Sequence, residues 1–158
     1  MDVRFRQRFS SRRGFLCVLP GLAAALVLRG REAHAQADPL AALVEKLTGG
    51  APVREGRVNL DIPRLADNGH SVPLRVSVES PMTPADHVLV ITLLSDRNPR
   101  PVMATFHLGP RAGRPEVLTR VRLNGSQRVR AIAQLSDGSY WSGSAPVEVT
   151  ESACLDAG

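Results

Sequence analysis

The chain has 158 residues, 43% of them hydrophobic but only 4% aromatic, with 20 basic and 15 acidic side chains and a formal charge of +5. That charge is unevenly placed, because residues 1–35 hold seven of the basic and two of the acidic residues and thirteen of each remain afterwards. Without its first segment the chain is neutral, which excludes a general binder of nucleic acid or anionic membranes, and about 120 residues suffice for one domain around one core.

Residues 1–35 have the layout of a cleaved secretory signal. A basic head ending in Arg12-Arg13 is followed by an apolar stretch from Phe15 to Leu28 and then by small residues. The stretch is about fourteen residues long, short of the ~20 that a membrane span requires, so removal is expected rather than anchoring. Ala33-His34-Ala35 marks one cleavage site and Ala35-Gln36-Ala37 a competing one. Ser11-Arg12-Arg13-Gly14-Phe15-Leu16 resembles the twin-arginine export signal, which sends folded proteins to the periplasm. Cys17 leaves with this segment, Cys154 becomes the single remaining cysteine, and the domain has no internal disulfide.

Residues 36–52 read as a short helix and linker. Asp38 is placed to cap, Pro39 suits the first helical position, and Leu40, Leu43, Val44 and Leu47 form one apolar stripe that stops at Gly49-Gly50. Beyond residue 52 the period changes to two, the mark of half-buried strands over 53–150. Val58, Leu60 and Ile62 share one side of their run, and Val72, Leu74, Val76 and Val78 share one side of the next. Val88 to Leu94 is apolar on both sides, as a central strand requires. Val102, Ala104, Phe106 and Leu108 alternate again, as do Val117, Thr119, Val121 and Leu123, and then Val129, Ala131, Ala133 and Leu135. Tyr140 to Val149 is a last strand with an expected interruption near Pro146. Turn residues separate these runs, and Asn124-Gly125 and Asp137-Gly138 are tight-turn dipeptides expected to join antiparallel neighbours. Seven strands without intervening helices predict an all-β, immunoglobulin-like antiparallel sandwich.

Catalytic signatures are sparse. His70, His87 and His107 have no second histidine or cysteine at metal-ligand spacing, so no metal site is expected, and His107 falls on the polar side of its run. Gly49-Gly50-Ala51 follows a helix where a phosphate loop would precede one, and no serine sits in a nucleophile elbow. Tyr140 and Trp141 are the single residues of their types and suit a core or an interface. Residues 151–158 remain, a C-terminal arm bearing Cys154. Four extended residues past Thr150 would carry its sulfur about 13 Å beyond the sheet at about 3.3 Å per residue. Such a thiol can enter another protein's pocket, sit on an incidental tail, or link two chains by a disulfide.

Several blocks together resemble the SoxY sulfur-carrier family. The stretch from Val58 to Leu74 is similar to the N-terminal signature of that family, and Asn98-Pro99-Arg100-Pro101-Val102 with Ala104-Thr105-Phe106 is similar to its next block. Thr119 to Leu123, Ser126-Gln127, Ala133 to Gly138 and Val147 to Thr150 continue the likeness. The resemblance implies a periplasmic sandwich that pairs with a second one, SoxZ, and carries intermediates of thiosulfate oxidation on the cysteine of a flexible arm. It implies a substrate carrier, not an enzyme and without cofactors, visited by a c-type cytochrome complex that attaches thiosulfate and a dimanganese hydrolase that releases sulfate. Cys154 stands where the carrier cysteine belongs. The family arm reads Gly-Gly-Cys-Gly-Gly, whereas here Ser152-Ala153 precede Cys154 and Leu155-Asp156-Ala157-Gly158 follow it. Bulkier residues narrow the arm's freedom, and Glu151, Asp156 and the terminal carboxylate disfavour a thiolate. A second implication is a SoxY-like structural or adaptor module of another periplasmic oxidation system that has lost thiosulfate carriage.

Overall fold

The computed structural model describes residues 38–152; the expected leader, Cys17 and Cys154 lie outside the described residues. The chain enters through helix α1 (Ala41–Thr48), two residues later than the capping pattern predicts. Asp38 caps a preceding turn instead: its carboxylate accepts the Leu40 N–H at 3.0 Å and its carbonyl the Ala41 N–H at 3.0 Å. Gly49 ends the helix in the left-handed conformation at φ 64°, as glycine does without strain. Leu40 is buried on Leu94 and Ile132, with Leu43, Val44 and Tyr140 packed around them, while Leu47 at the far end of the stripe is exposed. This small apolar cluster is separate from the main core and lies on the opposite face of the sheet that carries Leu94 and Ile132.

Nine strands follow: β1 (Val53–Glu55), β2 (Val58–Asp61), β3 (Leu65–Asn68), β4 (Val72–Val78), β5 (Val88–Ser95), β6 (Val102–His107), β7 (Glu116–Val121), β8 (Gln127–Leu135) and β9 (Tyr140–Glu151). The larger sheet has the order β1-β9-β8-β5-β6, with β3 also on β9, and the smaller has the order β2-β4-β7. The two faces enclose Val72, Leu74, Val76, Ile91, Leu93, Val129, Ala131 and Leu135, all nearly or fully inaccessible. Seven strands coincide with the predicted runs, and the apolar side of each alternating run is the side that meets the core, except at the start of β6, where a register shift leaves Val102 exposed and packs Met103 against the core instead. β5 is apolar on both sides because its inner face meets the second sheet and Leu94 on its outer face meets α1.

Three features depart from the sequence reading. β1 and β3 were not expected, and both pair with β9 in parallel, so an otherwise antiparallel sandwich gains two parallel ladders. At three and four residues they are too short to display a period. Asn124-Gly125 does not close a hairpin: β7 lies in the small sheet and β8 in the large one, so the dipeptide carries the chain across the core. Asp137-Gly138 does close the β8–β9 hairpin, with Gly138 at φ 81° donating its N–H to the Leu135 carbonyl. The third departure is β9, which runs uninterrupted through Pro146. β1 pairs with Tyr140 to Ser142 and β3 with Glu148 to Glu151, so the proline falls between its two parallel partners where neither ladder requires its N–H.

Gly143 occupies the same gap. After β1 the chain turns at Gly56 (φ 105°) and Arg57 (φ 54°) and passes into the small sheet directly over β9. A Cβ on Gly143 would lie 2.2 Å from the Val58 carbonyl oxygen, a backbone atom with no freedom to yield. Beside this crossing Trp141 is flanked by Arg54 and Arg57, with guanidinium carbons 5.6 and 5.4 Å from the ring centroid. Trp141 packs against the main core and Tyr140 against the helix cluster, so the two aromatic neighbours serve opposite faces of one strand.

Two expectations follow from this packing. Gly143→Ala should destabilise the protein by about 1–3 kcal/mol, since the added carbon displaces backbone; a thermal melt that leaves Tm unchanged would refute the close crossing. The second concerns Asp38, whose carboxylate meets Arg130 at 2.6 Å. Burial opposes ionisation there, but the Leu40 N–H and the Arg130 guanidinium outweigh it and hold the carboxyl below its ordinary range. A lowered folded value gives stability that is complete above the ordinary carboxylate pKa and is lost as pH falls through the lowered one. Amide exchange in α1 should therefore accelerate on acidification below about pH 4, and Asp38→Asn should remove that acid step.

Candidate functional site

The expected site residue, Cys154, lies outside the described residues, which end two positions earlier at Ser152. What the structure does show is how the strand leading to it is held. β9 continues to Glu151 because β3 supplies a partner: Leu65 pairs with Glu148, Ala66 with Val149 and Asn68 with Glu151. The Thr150 hydroxyl donates to the carbonyls of Asp67 at 2.6 Å and Ala66 at 3.2 Å, and the Glu151 carbonyl accepts the Gly69 N–H at 2.7 Å. On the other side the Ser126 hydroxyl accepts the Val149 N–H at 2.9 Å. Thus the strand is bonded as far as Glu151 on its β3 edge and as far as Val149 on the other.

Behind this root lies a buried polar network. Ser95 is fully inaccessible, and its hydroxyl donates to the Gln127 side-chain oxygen while accepting the N–H groups of Asn98 at 2.9 Å and Arg97 at 3.3 Å. The Gln127 amide donates to the Asn98 side-chain oxygen and to the Gly125 carbonyl, each at 3.2 Å. The same Asn98 oxygen accepts the Asn124 N–H at 3.0 Å, and the Asn98 amide donates to the Arg122 carbonyl at 2.8 Å. Every buried side-chain polar atom among the described residues has a partner. The turn after β5 and the crossing from β7 to β8 are locked to each other, and Gly125 within that crossing meets the root. A Cβ on Gly125, at φ 84°, would lie 3.0 Å from the Ser152 hydroxyl and 3.5 Å from the Arg97 Nε.

The sequence-derived histidines are not brought together. His107 is exposed on β6, His87 faces the Thr83 carbonyl at 3.1 Å through its Nδ1, and the His70 N–H donates to Asn68 Oδ1 at 3.2 Å. No group of three or more His, Cys, Asp or Glu among the described residues could hold a metal ion. Ser95, Gln127 and Asn98 had no signature as a unit, because their partnership joins the end of β5 and the turn after it to the start of β8, far away in the chain. What the arrangement can do chemically is position: it fixes the point from which residues 153–158 depart.

The family profile of the sulfur oxidation protein SoxY matches residues 44–154. The chain belongs to the SoxY family. The solved structure of the sulfur carrier protein SoxY from Chlorobium limicola f thiosulfatophilum is 26% identical over 71% of this chain and 96% of that one, with a TM-score of 0.60. A superoxide reductase (neelaredoxin) from Ignicoccus hospitalis, 20% identical over 60% of this chain and 80% of its own, superposes with a TM-score of 0.54. Another from Nanoarchaeum equitans, 13% identical over 61% of this chain and 100% of its own, gives 0.51. At those identities the two reductases share the sandwich fold alone. A search of curated proteins finds no match.

Within this SoxY-family chain, the blocks that carry the family likeness build the root. The stretch from Val58 to Leu74 contains β3, the parallel partner of β9; Asn98 anchors the network; Ser126-Gln127 and Val147 to Thr150 complete it. Replacing Gln127 by Leu leaves the Ser95 hydroxyl and the Asn98 oxygen each short of a buried partner. It should cost about 1–3 kcal/mol and speed hydrogen exchange at the Asn124 amide; protection there equal to wild type would count against the network.

Proposed function

We propose that this SoxY-family chain is a periplasmic sulfur carrier, exported by the twin-arginine route, that holds sulfur-oxidation intermediates covalently on Cys154 and works beside a SoxZ-like subunit. The observation that carries the reading is that the SoxY match extends to Cys154 itself, a residue two positions past the fixed root. The likeness to the Chlorobium carrier over nearly its whole length supports it.

The chemistry asked of the carrier is simple. A Cys154 thiolate and thiosulfate join through a new sulfur–sulfur bond, and two electrons pass to a c-type cytochrome complex. Water attack on the terminal sulfonate, at a dimanganese hydrolase, then releases sulfate and leaves the outer sulfur on the cysteine. The carrier supplies the thiol and a tether of defined origin; the enzymes supply electron transfer and hydrolysis. A tethered thiol needs no catalytic groups of its own, because confinement near its partner's pocket raises its effective concentration.

The altered arm favours a second reading. Ala153, Leu155 and Asp156 stand where the family has glycines, which suits an adaptor that keeps the fold but no longer carries thiosulfate.

Incubation with thiosulfate and the matching cytochrome complex should place a reductant-sensitive mass adduct on Cys154, and Cys154→Ser should abolish sulfur oxidation in cells. Unchanged oxidation by the serine variant overturns the carrier reading in favour of the adaptor.

A further inference from the structure

Strand β7 is the outer strand of the small sheet, with β4 on one side and no strand of the described residues on the other. Its free edge opens onto a groove of about 460 Å3 that separates it from β6. The two facing edges differ. Pairing of β6 with β5 is broken by a register shift at Leu93 and Leu94, whereas β7 keeps an unbroken register on β4, from Val72 with Val121 to Ser77 with Glu116, and contains no proline. Bulges and prolines are the usual guards of an exposed edge. β7 has neither, and its charged side chains are of both signs.

One bond tells which backbone groups face that edge. The Val78 N–H donates to the Pro115 carbonyl at 3.0 Å, in line with the β4–β7 register. Bonded and non-bonded pairs alternate along an antiparallel ladder. Val117, Thr119 and Val121 therefore bond to β4, and the N–H and C=O groups of Glu116, Leu118 and Arg120 point to the open side. The side chains of these three share the outer face of the sheet, since Val117 and Val121 turn to the core. Leu118, at 66% exposure, is more exposed than any other large apolar side chain among the described residues. The edge thus presents a carboxylate, an aliphatic group and a guanidinium in that order, and this order is self-complementary. When two such edges meet antiparallel about Leu118, the leucines face each other and Glu116 of each copy faces Arg120 of the other. Both charges have capacity left for this. Glu116 meets Arg75 at 3.4 Å at the surface. Arg120 gives its Nε to the Ser71 hydroxyl at 2.6 Å and one terminal nitrogen to the Ser71 carbonyl at 3.2 Å, both neutral, and its second terminal nitrogen remains a donor.

We propose that β7 is the contact through which this chain pairs with a second copy of itself, the two small sheets joining across a two-fold axis into one continuous antiparallel sheet with Leu118 at its centre. Backbone bonds from Glu116, Leu118 and Arg120 supply the attraction, and the opposed charges fix register and direction, because a parallel pairing would set glutamate against glutamate. A contact this short is small, so the pair is weak and forms at high protein concentration. The pairing goes beyond the carrier reading and does not rest on it.

The test is sedimentation equilibrium of the purified protein from about 10 μM to about 1 mM, the range of weak association, with a reductant present so that no disulfide between chains contributes. The wild type should dimerise across this range. Glu116→Arg and Arg120→Glu should each weaken the dimer about ten-fold, since a single reversal sets like charges opposite at both ends of the symmetric contact. An equimolar mixture of the two variants should recover the wild-type affinity as a mixed dimer, because each chain then offers the charge that the other lacks. That recovery also serves as the folding control, as only folded chains can rescue one another. Leu118→Lys should weaken self-association as well. A wild type that stays monomeric throughout overturns the proposal, as does a mixture no tighter than its components. If Leu118→Lys leaves self-association unchanged but weakens binding of a different subunit, the edge belongs to that subunit and the proposal fails. None of these outcomes depends on thiosulfate loading.

Discussion

The structure depends on β9 having partners along both of its edges. One edge pairs with β8 from Gln127 to Gln134, and the other is shared by two short parallel strands, β1 near its start and β3 near its end. A last strand with a free outer edge would fray, because its amide and carbonyl groups would be left to water and its terminal turn would have little packing to hold it. Here the chain covers that edge twice, with β1 before it enters the small sheet and with β3 after β2. The gap between these two strands is where the residues that tolerate no partner sit: Gly143, beneath the Val58 carbonyl, and Pro146, without an N–H.

A fixed strand end gives the tail a fixed origin. The Thr150 hydroxyl, the Glu151 carbonyl and the Ser126 hydroxyl bind the strand from two sides, and the buried Ser95–Gln127–Asn98 network stiffens the loops that do so. Buried polar networks are favourable only when every member is satisfied, and this one is. For a protein whose proposed work is to present one sulfur atom to several enzymes, the volume that sulfur can search is set by where the tether begins and by its length. The first is a property of the fold and the second of the two positions that separate Cys154 from Ser152.

Charge is organised on the same scale. With thirteen basic and thirteen acidic residues after position 35, the chain has no overall field, yet Arg100, Arg120 and Arg122 share one groove without an acid in its lining. Arg100, Arg120 and Arg122 come from two different regions of the chain and meet because β6 and β7 are the facing edges of separate sheets. A local basic surface on a neutral domain acts at contact distance, since beyond about 8–10 Å its field is screened by salt.

Much of this was legible in the amino-acid order. Alternation of Val72 to Val78 or Val129 to Leu135 depends only on neighbours two residues apart, so seven strands, their inward faces and the docking helix followed from local pattern. The family and the position of Cys154 were likewise present in short contiguous blocks. Contacts between distant segments were not. β1 and β3 are too brief to carry a period and exist because β9 offers them an edge; Asn124-Gly125 looks like a hairpin turn, but Val121 and Leu123 on one side and Val129 on the other are buried between different sheets. Pro146 reads as a break until its neighbours on both sides are known. The sequence by itself determined which residues are apolar, at what spacing, and therefore the sandwich and its core. The tertiary structure alone decided which edges meet, where the polar network closes and where arginines converge, because those depend on pairings between residues far apart in the chain, to which no local period refers.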